Sequence, residues 1–193
     1  MSHATGDEST PRRAVVLDTL PHGRSDDDRP QYQKPPLAYA VAEDDFRLYE
    51  LVFEEDSEVN IGDRVTVAPA DERVAIDELK RVQYGDLSSG AQTELEYVVE
   101  DVVDENPQRF VDFYNEAQPI TLRLHQLNLL PGIGKKLRNS ILDERKRKPF
   151  ESFEELEERV AGLHDPEEVL VERIIEEIRE DDLKYRTFVD ADQ

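Results

Sequence analysis

The sequence predicts an α+β protein, a small N-terminal β-barrel followed by an all-helical domain. Two textures carry that prediction. Residues 14–84 hold short Val-rich and aromatic runs divided by Pro, Gly and acidic breaks, whereas from Ser89 onward apolar residues recur at helical spacing. A third observation is the junction Leu130-Pro131-Gly132-Ile133-Gly134-Lys135-Lys136, which turns one helical stretch sharply into the next.

Residues 14–20 read as a first strand, ended by Pro21-His22-Gly23, and 24–36 as a charged, proline-bearing loop. The runs 37–42 and 46–53 flank acids at 43–45, which predicts a β-hairpin with its turn there. Asn60-Ile61-Gly62-Asp63 turns into 64–68, where Val65 and Val67 alternate with polar residues. Four short strands in about 55 residues suggest a small barrel. A fifth strand falls within 73–84, supplied by Val74 and Ile76 or by Leu79 and Val82.

Helices follow. Ser89 with Gln92 forms a capping-box pattern, after which Leu95, Val98, Val99, Val102 and Val103 share a face. Asn106-Pro107 reads as a cap and a first-turn proline, and Phe110, Phe113, Tyr114 and Ala117 continue the period. Pro119 opens a third helix through about Leu130, and a fourth runs from the junction to Pro149 with Leu137, Ile141 and Leu142 inward. Ser152 with Glu155 starts a short fifth; Asp165-Pro166 with Glu168 starts a sixth, packed through Val171, Ile174, Ile175 and Ile178. Residues 185–189 either close as a strand or cover the core. The expected organisation is a disordered tail at 1–13, the barrel at 14–84, a helical connector at 85–118, the hairpin domain at 119–189 and a tail at 190–193.

Composition narrows the function. With no cysteine among 193 residues, disulfides, thiolate zinc sites, cysteine-ligated clusters and cysteine nucleophiles are excluded, and the usage fits a cytoplasmic protein. No apolar run approaches the roughly 18 residues of a membrane span, and the first 13 residues lack a signal-peptide centre. A net charge of −22, with acids spread along the whole chain, reads as the solvated surface of a halophile. Asp44, Asp45, Glu54, Glu55 and Asp56 are accordingly not read as a metal site.

Against that background residues 119–148 carry eight Lys or Arg and only Asp143 and Glu144, a local charge of +6, leaving −28 for the other 163 residues. Lys135, Lys136, Lys146 and Lys148 are four of the chain's seven lysines. A helix N-terminus exposes backbone N–H groups without intrahelical partners and adds about half a positive charge, so anions settle there. Gly132 and Gly134 let a nucleic-acid backbone approach those amides. Lys135, Lys136 and Arg138 flank the phosphate, and Arg145, Lys146, Arg147 and Lys148 offer a second contact. Such contacts position a backbone and do not read sequence.

Residues 124–148 resemble a helix-hairpin-helix motif, with Leu127, Leu130, Pro131, Gly132, Ile133, Gly134, Leu137 and Ile141 at its usual places. The resemblance implies phosphate-holding amides at Gly132, Gly134 and Lys135. It also implies a monovalent cation, K+ or Na+, at the carbonyls of Asn128, Leu130 and Ile133. The run from Arg145 through Pro149-Phe150-Glu151-Ser152-Phe153-Glu154-Glu155-Leu156 is similar to the lead into a second hairpin, where this chain has only Ala161-Gly162-Leu163. Together with Leu20-Pro21-His22-Gly23-Arg24, Arg123-Leu124-His125-Gln126-Leu127 and the end at 185–189, the chain resembles the archaeal domain-of-unknown-function 655 family. That resemblance implies an OB-like barrel joined to a helix-hairpin-helix domain, binding RNA or DNA, with no activity established.

Other readings compete. His125, on a Leu-rich stretch without a nucleophile nearby, reads as packed or capping; His22 and His164 sit in turns. Tyr39, Phe46, Tyr49 and Phe53 read as core, with a base-stacking platform as the alternative. Arg47, Arg64 and Lys80 would give the barrel a phosphate-facing stripe. Lys136 occupies the Schiff-base position of helix-hairpin-helix glycosylases, but the Val-Asp-Thr-His companion is replaced by Glu151, Glu154 and Glu155. The expectation is therefore a non-enzymatic, sequence-tolerant binder of an RNA or DNA backbone, RNA slightly favoured. A protein-interaction scaffold or accessory subunit in translation or repair is the alternative, and a glycosylase or nuclease the remote one.

Overall fold

The computed structural model describes residues 10–190, so most of both expected tails lies outside the described residues. The class is α+β, a curled five-stranded antiparallel sheet and five helices. The chain divides into two compact units with the boundary between Glu94 and Leu95, inside the first helix and inside the segment expected to be a connector.

In the first unit, β1 (Arg12–Leu20), β2 (Leu37–Ala42), β3 (Leu48–Phe53), β4 (Arg64–Ala68) and β5 (Ile76–Val82) lie in the order β4-β1-β2-β3-β5. The first four strands thus form a Greek key, β4 returning beside β1, with β5 added on the far side of β3. β1 starts at Arg12, two residues before the apolar run, because Arg12 and Arg13 still pair with Ala68 and Thr66. Ala14, Ala38, Ala40 and Ala42 present small side chains to one core, filled by Tyr49, Leu51 and Phe53 from β3. Small residues facing large ones let a short sheet curl without overpacking.

β2 is buried at every position, so periodicity alone understates it as a strand. The edges differ: β5 carries Asp77, Glu78, Lys80 and Arg81, charges that blunt an exposed edge. In the ambiguous 73–84 stretch Ile76, Leu79 and Val82 turn inward, and Val74 is exposed. The four aromatics are core residues, so the stacking platform is ruled out: Tyr39, Phe46, Tyr49 and Phe53 are at most 8% exposed. Phe46 leaves the strand altogether, in a positive-φ turn. Of the expected phosphate stripe, Arg47 pairs with Asp45 and Arg64 with Glu43, and Lys80 is exposed on β5. Asp44 and Asp45 serve as partners of Arg12.

The helices are α1 (Ser89–Glu105), α2 (Pro107–Glu116), α3 (Lys135–Arg147), α4 (Phe153–Arg159) and α5 (Pro166–Arg179). One expected cap shifts by a residue, and two hold their place without making a cap bond. Ser88, one residue before Ser89, takes the Ala91 amide on its Oγ at 3.1 Å and donates to Asp18 at 2.5 Å. Asn106 makes no cap bond to α2; its Nδ2 donates back to Val102 O of α1 at 2.7 Å. Asp165 precedes α5 in a left-handed conformation without a side-chain cap. Ser152 caps α4 as expected, accepting from Glu155 N at 3.0 Å.

The helix expected over 119–130 does not form. In its place stand a tight loop and one 3-10 turn, Gln126–Leu129. Side chains outcompete the helix for its own amides: Thr121 Oγ1 takes Arg123 N and Leu124 N, Gln126 Oε1 takes Gln118 N, and His125 Nδ1 takes Leu127 N.

Residues 185–189 form no strand and cover the core. Phe188 packs on Phe113 at 5.0 Å and Phe110 at 6.5 Å, and Val189 is buried. One carboxylate holds this segment: Glu177 Oε1 accepts from the amides of Thr187, Phe188 and Val189 at 2.7, 2.9 and 3.2 Å, while Oε2 takes Arg173 Nε at 2.9 Å. Both partners are buried, so removing Glu177 takes the acceptor from three amides and the nearer of two carboxylates from Arg173, whose Nη1 keeps Glu176 at 3.2 Å. We predict that Glu177→Ala lowers unfolding stability by about 3–5 kcal/mol, measured by chemical denaturation. A loss below about 1 kcal/mol, the level of an exposed pair, would show the staple to be dispensable.

Candidate nucleic-acid interface

The hairpin is built around Asn128. Its Oδ1 accepts from His125 N at 3.0 Å and from Arg138 Nη1 at 3.1 Å, and its Nδ2 donates to Ile133 O at 3.2 Å. The 3-10 turn, the loop and α3 are therefore tied through one amide side chain. Leu127, Leu130, Ile133 and Ile141 are buried beneath it, and Leu137 and Leu142 half-buried. The sequence marked Asn128 only as a carbonyl. An Asn three residues after a capping His is the signal for this reciprocal bond, a capping box in a 3-10 turn.

Gly132 has φ +78°, the left-handed conformation the turn into α3 requires. Gly134 differs, since its φ of −88° suits any residue and a Cβ built there meets nothing within 4 Å. The fold does not ask for glycine at 134. Gly134 stands at the N-cap of α3 without a side-chain cap bond, so the first-turn amides of Lys135, Lys136 and Leu137 face outward. Lys135 and Lys136 are exposed.

The remaining expected cations divide. Arg138 is half-buried and braces the loop, its Nη1 also reaching Arg123 O at 3.4 Å. Arg145 is no phosphate ligand: its Nη1 donates to Tyr114 O at 3.1 Å and Ala117 O at 3.0 Å, closing the C-terminus of α2. Arg147 is exposed but pairs with Glu144 at 3.3 Å, and Lys148 lies 3.8 Å from Glu151. The second contact expected over 145–148 thus shrinks, because those cations have nearer partners.

A twin of the hairpin connects α4 to α5. Gly162 has φ +88° as Gly132 has +78°, Leu163 N bonds Val160 O at 3.2 Å as Ile133 N bonds Leu130 O at 3.3 Å, and Val160 and Leu163 are buried like Leu130 and Ile133. Its charge is inverted. Asp165, Glu167 and Glu168 surround the N-terminus of α5 and line a cleft of about 380 Å³ with Glu100, Asp101 and Asp104 of α1. Burial, then the neighbouring carboxylates Asp104, Glu154 and Glu100, raise Glu167 above the usual range. This surface repels phosphate. The sequence did not announce this turn because Ala161-Gly162-Leu163 has one glycine where residues 132–134 have two.

Among the described residues no group of His, Cys, Asp and Glu has the arrangement to hold a metal ion. His125 is 5% exposed and acts as a cap.

The family model described as "Protein of unknown function (DUF655)" matches residues 10–190. The chain is 39% identical over 180 residues to the uncharacterized protein MJ0038 of Methanocaldococcus jannaschii, covering 91% of this chain and 78% of that protein. It is also similar to the crystal structure of Af1531 from Archaeoglobus fulgidus, family-model DUF655. That comparison gives a TM-score of 0.82 and 42% identity, covering 92% of this chain and 99% of the other.

Burial, then the charges of Arg145 and Arg138, hold the His125 imidazole below its ordinary value near 6.5. The neutral ring supplies the acceptor at Nδ1, and protonation removes it. A depressed histidine contributes stability that is complete above pH 6.5 and lost as pH falls through that value toward the folded one. We predict that the melting temperature drops between about pH 7.5 and pH 5.5, and drops less in His125→Asn, whose amide oxygen caps without titrating. Equal slopes in the two proteins would remove His125 as the cause.

Proposed function

The chain belongs to the DUF655 family, whose description assigns no function, and we propose that it is a non-enzymatic nucleic-acid-binding protein in which the N-terminus of α3 seats one backbone phosphate. The observation that carries this reading is the charge of that first turn. α4 and α5 each begin with two acids, as helix dipoles favour, whereas α3 begins with Lys135 and Lys136 and no acid. Cations placed against a dipole cost stability until an external anion sits between them and the amides. Gly134, with open space where a Cβ would stand, leaves the approach clear.

The sheet, five strands in a Greek-key order, supports reading the first unit as a partly open OB-like barrel, and the two hairpins support reading the second as a helix-hairpin-helix domain. The ligands are Gly132, Gly134, Lys135 and Lys136, with Arg138 and the exposed Arg147 and Lys148 at the margin. The carbonyls of Leu130 and Ile133 each take one hydrogen bond and keep a second lone pair; with that of Asn128 they would hold K+ or Na+.

RNA is slightly favoured over DNA, and the binding is independent of sequence. The acid excess suits a halophile's cytoplasm, and no helix among the described residues is long and apolar enough to cross a membrane. Molar salt weakens counterion release by about 0.9 log unit per phosphate contact per decade, so amide bonds to phosphate carry the affinity there. The acidic cleft by the second hairpin favours one further reading, in which that face docks a basic protein of the translation or repair machinery.

Gly134→Ser separates fold from function. Serine is a better N-cap and raises stability by a few tenths of a kcal/mol, while its hydroxyl occupies the amides meant for phosphate. The expected result in molar KCl is a loss of RNA or DNA affinity of about tenfold, the size of one charge-assisted hydrogen bond. Lys135→Ala/Lys136→Ala should lose less at that salt. If Gly134→Ser binds as tightly as the parent, the phosphate seat is wrong; if the parent binds no polymer, the docking reading replaces it.

A further inference from the structure

Between α2 and the 3-10 turn the chain closes on itself. Gln126 N donates to Gln118 O at 2.9 Å and Gln118 N to Gln126 Oε1 at 2.7 Å, with Pro119 and His125 paired as an isolated antiparallel bridge. Further out, Ile120 N and Thr121 N both donate to Leu124 O, at 2.8 and 2.9 Å, and Thr121 Oγ1 accepts from Arg123 N and Leu124 N. Most of the loop's donors are thus used within it, which fixes the tip Thr121-Leu122-Arg123 as a rigid projection. Ile120 and Leu124 are half-buried at its base.

Leu122, at the apex, is fully exposed, 107% of its reference area. Lone surface leucines are ordinary, so exposure alone says little. Here it coincides with rigidity and with position. Arg138 bonds Arg123 O at 3.4 Å and Asn128 Oδ1 at 3.1 Å, and its own amide bonds Gly134 O at 3.0 Å, one turn from the start of α3. One helical turn advances about 5.4 Å. Arg138 therefore braces the loop that carries the apolar apex against the first turns of α3, with the exposed Arg123 next to the apex in sequence.

We propose that Leu122 is a wedge that enters the base stack of the polymer held at the hairpin, so that the preferred ligand is a duplex with a weakened step: a nick, a mismatch or an unpaired base. This rests on the phosphate-seating reading of α3 and goes beyond it. A base step offers apolar faces between two phosphate-lined walls, which matches a single apolar apex between cations; apolar side chains inserted in this way unstack and kink duplexes. A protein partner would require a wider apolar patch around the leucine. Intact duplex resists the wedge because stacking must be broken first, and an already weakened step does not.

The test uses the full chain with fully paired and single-mismatch duplexes, RNA and DNA, carrying 2-aminopurine beside the mismatch. The expected result is a rise in 2-aminopurine fluorescence on binding and about tenfold tighter binding to the mismatched duplex. In Leu122→Ser both are lost, while affinity for the fully paired duplex stays within about twofold because the phosphate contacts are untouched. Leu122 packs on nothing, so the variant folds as the parent does. Binding without a fluorescence rise, or a Leu122→Ser variant that keeps the preference, overturns the wedge and leaves the phosphate seat standing. Loss of binding to every duplex in Gly134→Ser but not in Leu122→Ser is the expected mark of the seat itself. A parent that binds neither duplex overturns both.

Discussion

The second unit depends on how its helix ends are satisfied. Each helix leaves carbonyls without partners at its C-terminus, and three of them are closed by a guanidinium from elsewhere in the chain. Arg145 takes Tyr114 O and Ala117 O at the end of α2, Arg159 takes Glu144 O and Lys148 O at the end of α3, and Arg186 takes Glu177 O and Glu180 O at the end of α5. A guanidinium suits this work because its fork reaches two acceptors while its charge meets the negative end of the dipole. Most arginines are structural, and the lysines at 135 and 136 stand out because they brace nothing.

The same principle applied to the N-termini isolates the candidate site. α1 has Ser88 with the Asp18 carboxylate behind it, α4 has Ser152 and two acids, and α5 has its acidic first turn. α2 and α3 both lack a cap bond and an acid, but α2 opens on Pro107, which has no N–H to offer, whereas α3 opens on Lys135 and Lys136. The turns at Gly132 and Gly162 share a left-handed glycine and a buried apolar pair, and differ in the helix start that follows and in charge.

The sequence made the apolar pattern legible and misjudged the polar side chains. β2 falls where its apolar run and the acids after it place it, β4 where alternation does, and α5 presents Val171, Ile174, Ile175 and Ile178 inward as its spacing demands. Burial of an apolar face repeats with the geometry of the element, so a single segment suffices to reveal it. Thr121, His125, Gln126 and Asn128 instead bond across turns, and their side chains dissolve a helix that local composition favours. Arg145 is the sharpest case. On composition it belongs to the cationic island, yet its partners, Tyr114 and Ala117, lie about 30 residues away.

By itself the sequence determined the α+β class, the change from strand to helix texture and the glycine turn at 130–136. These depend on periodicity and on glycine, which act over a few residues. Only the tertiary structure decided which cations have partners within the chain, that Glu177 staples the C-terminal segment, that Gly162 makes a left-handed turn like that at Gly132, and that Leu122 is fully exposed on its loop. Charge and hydrogen bonding act through space, and their partners are chosen by how the chain returns on itself.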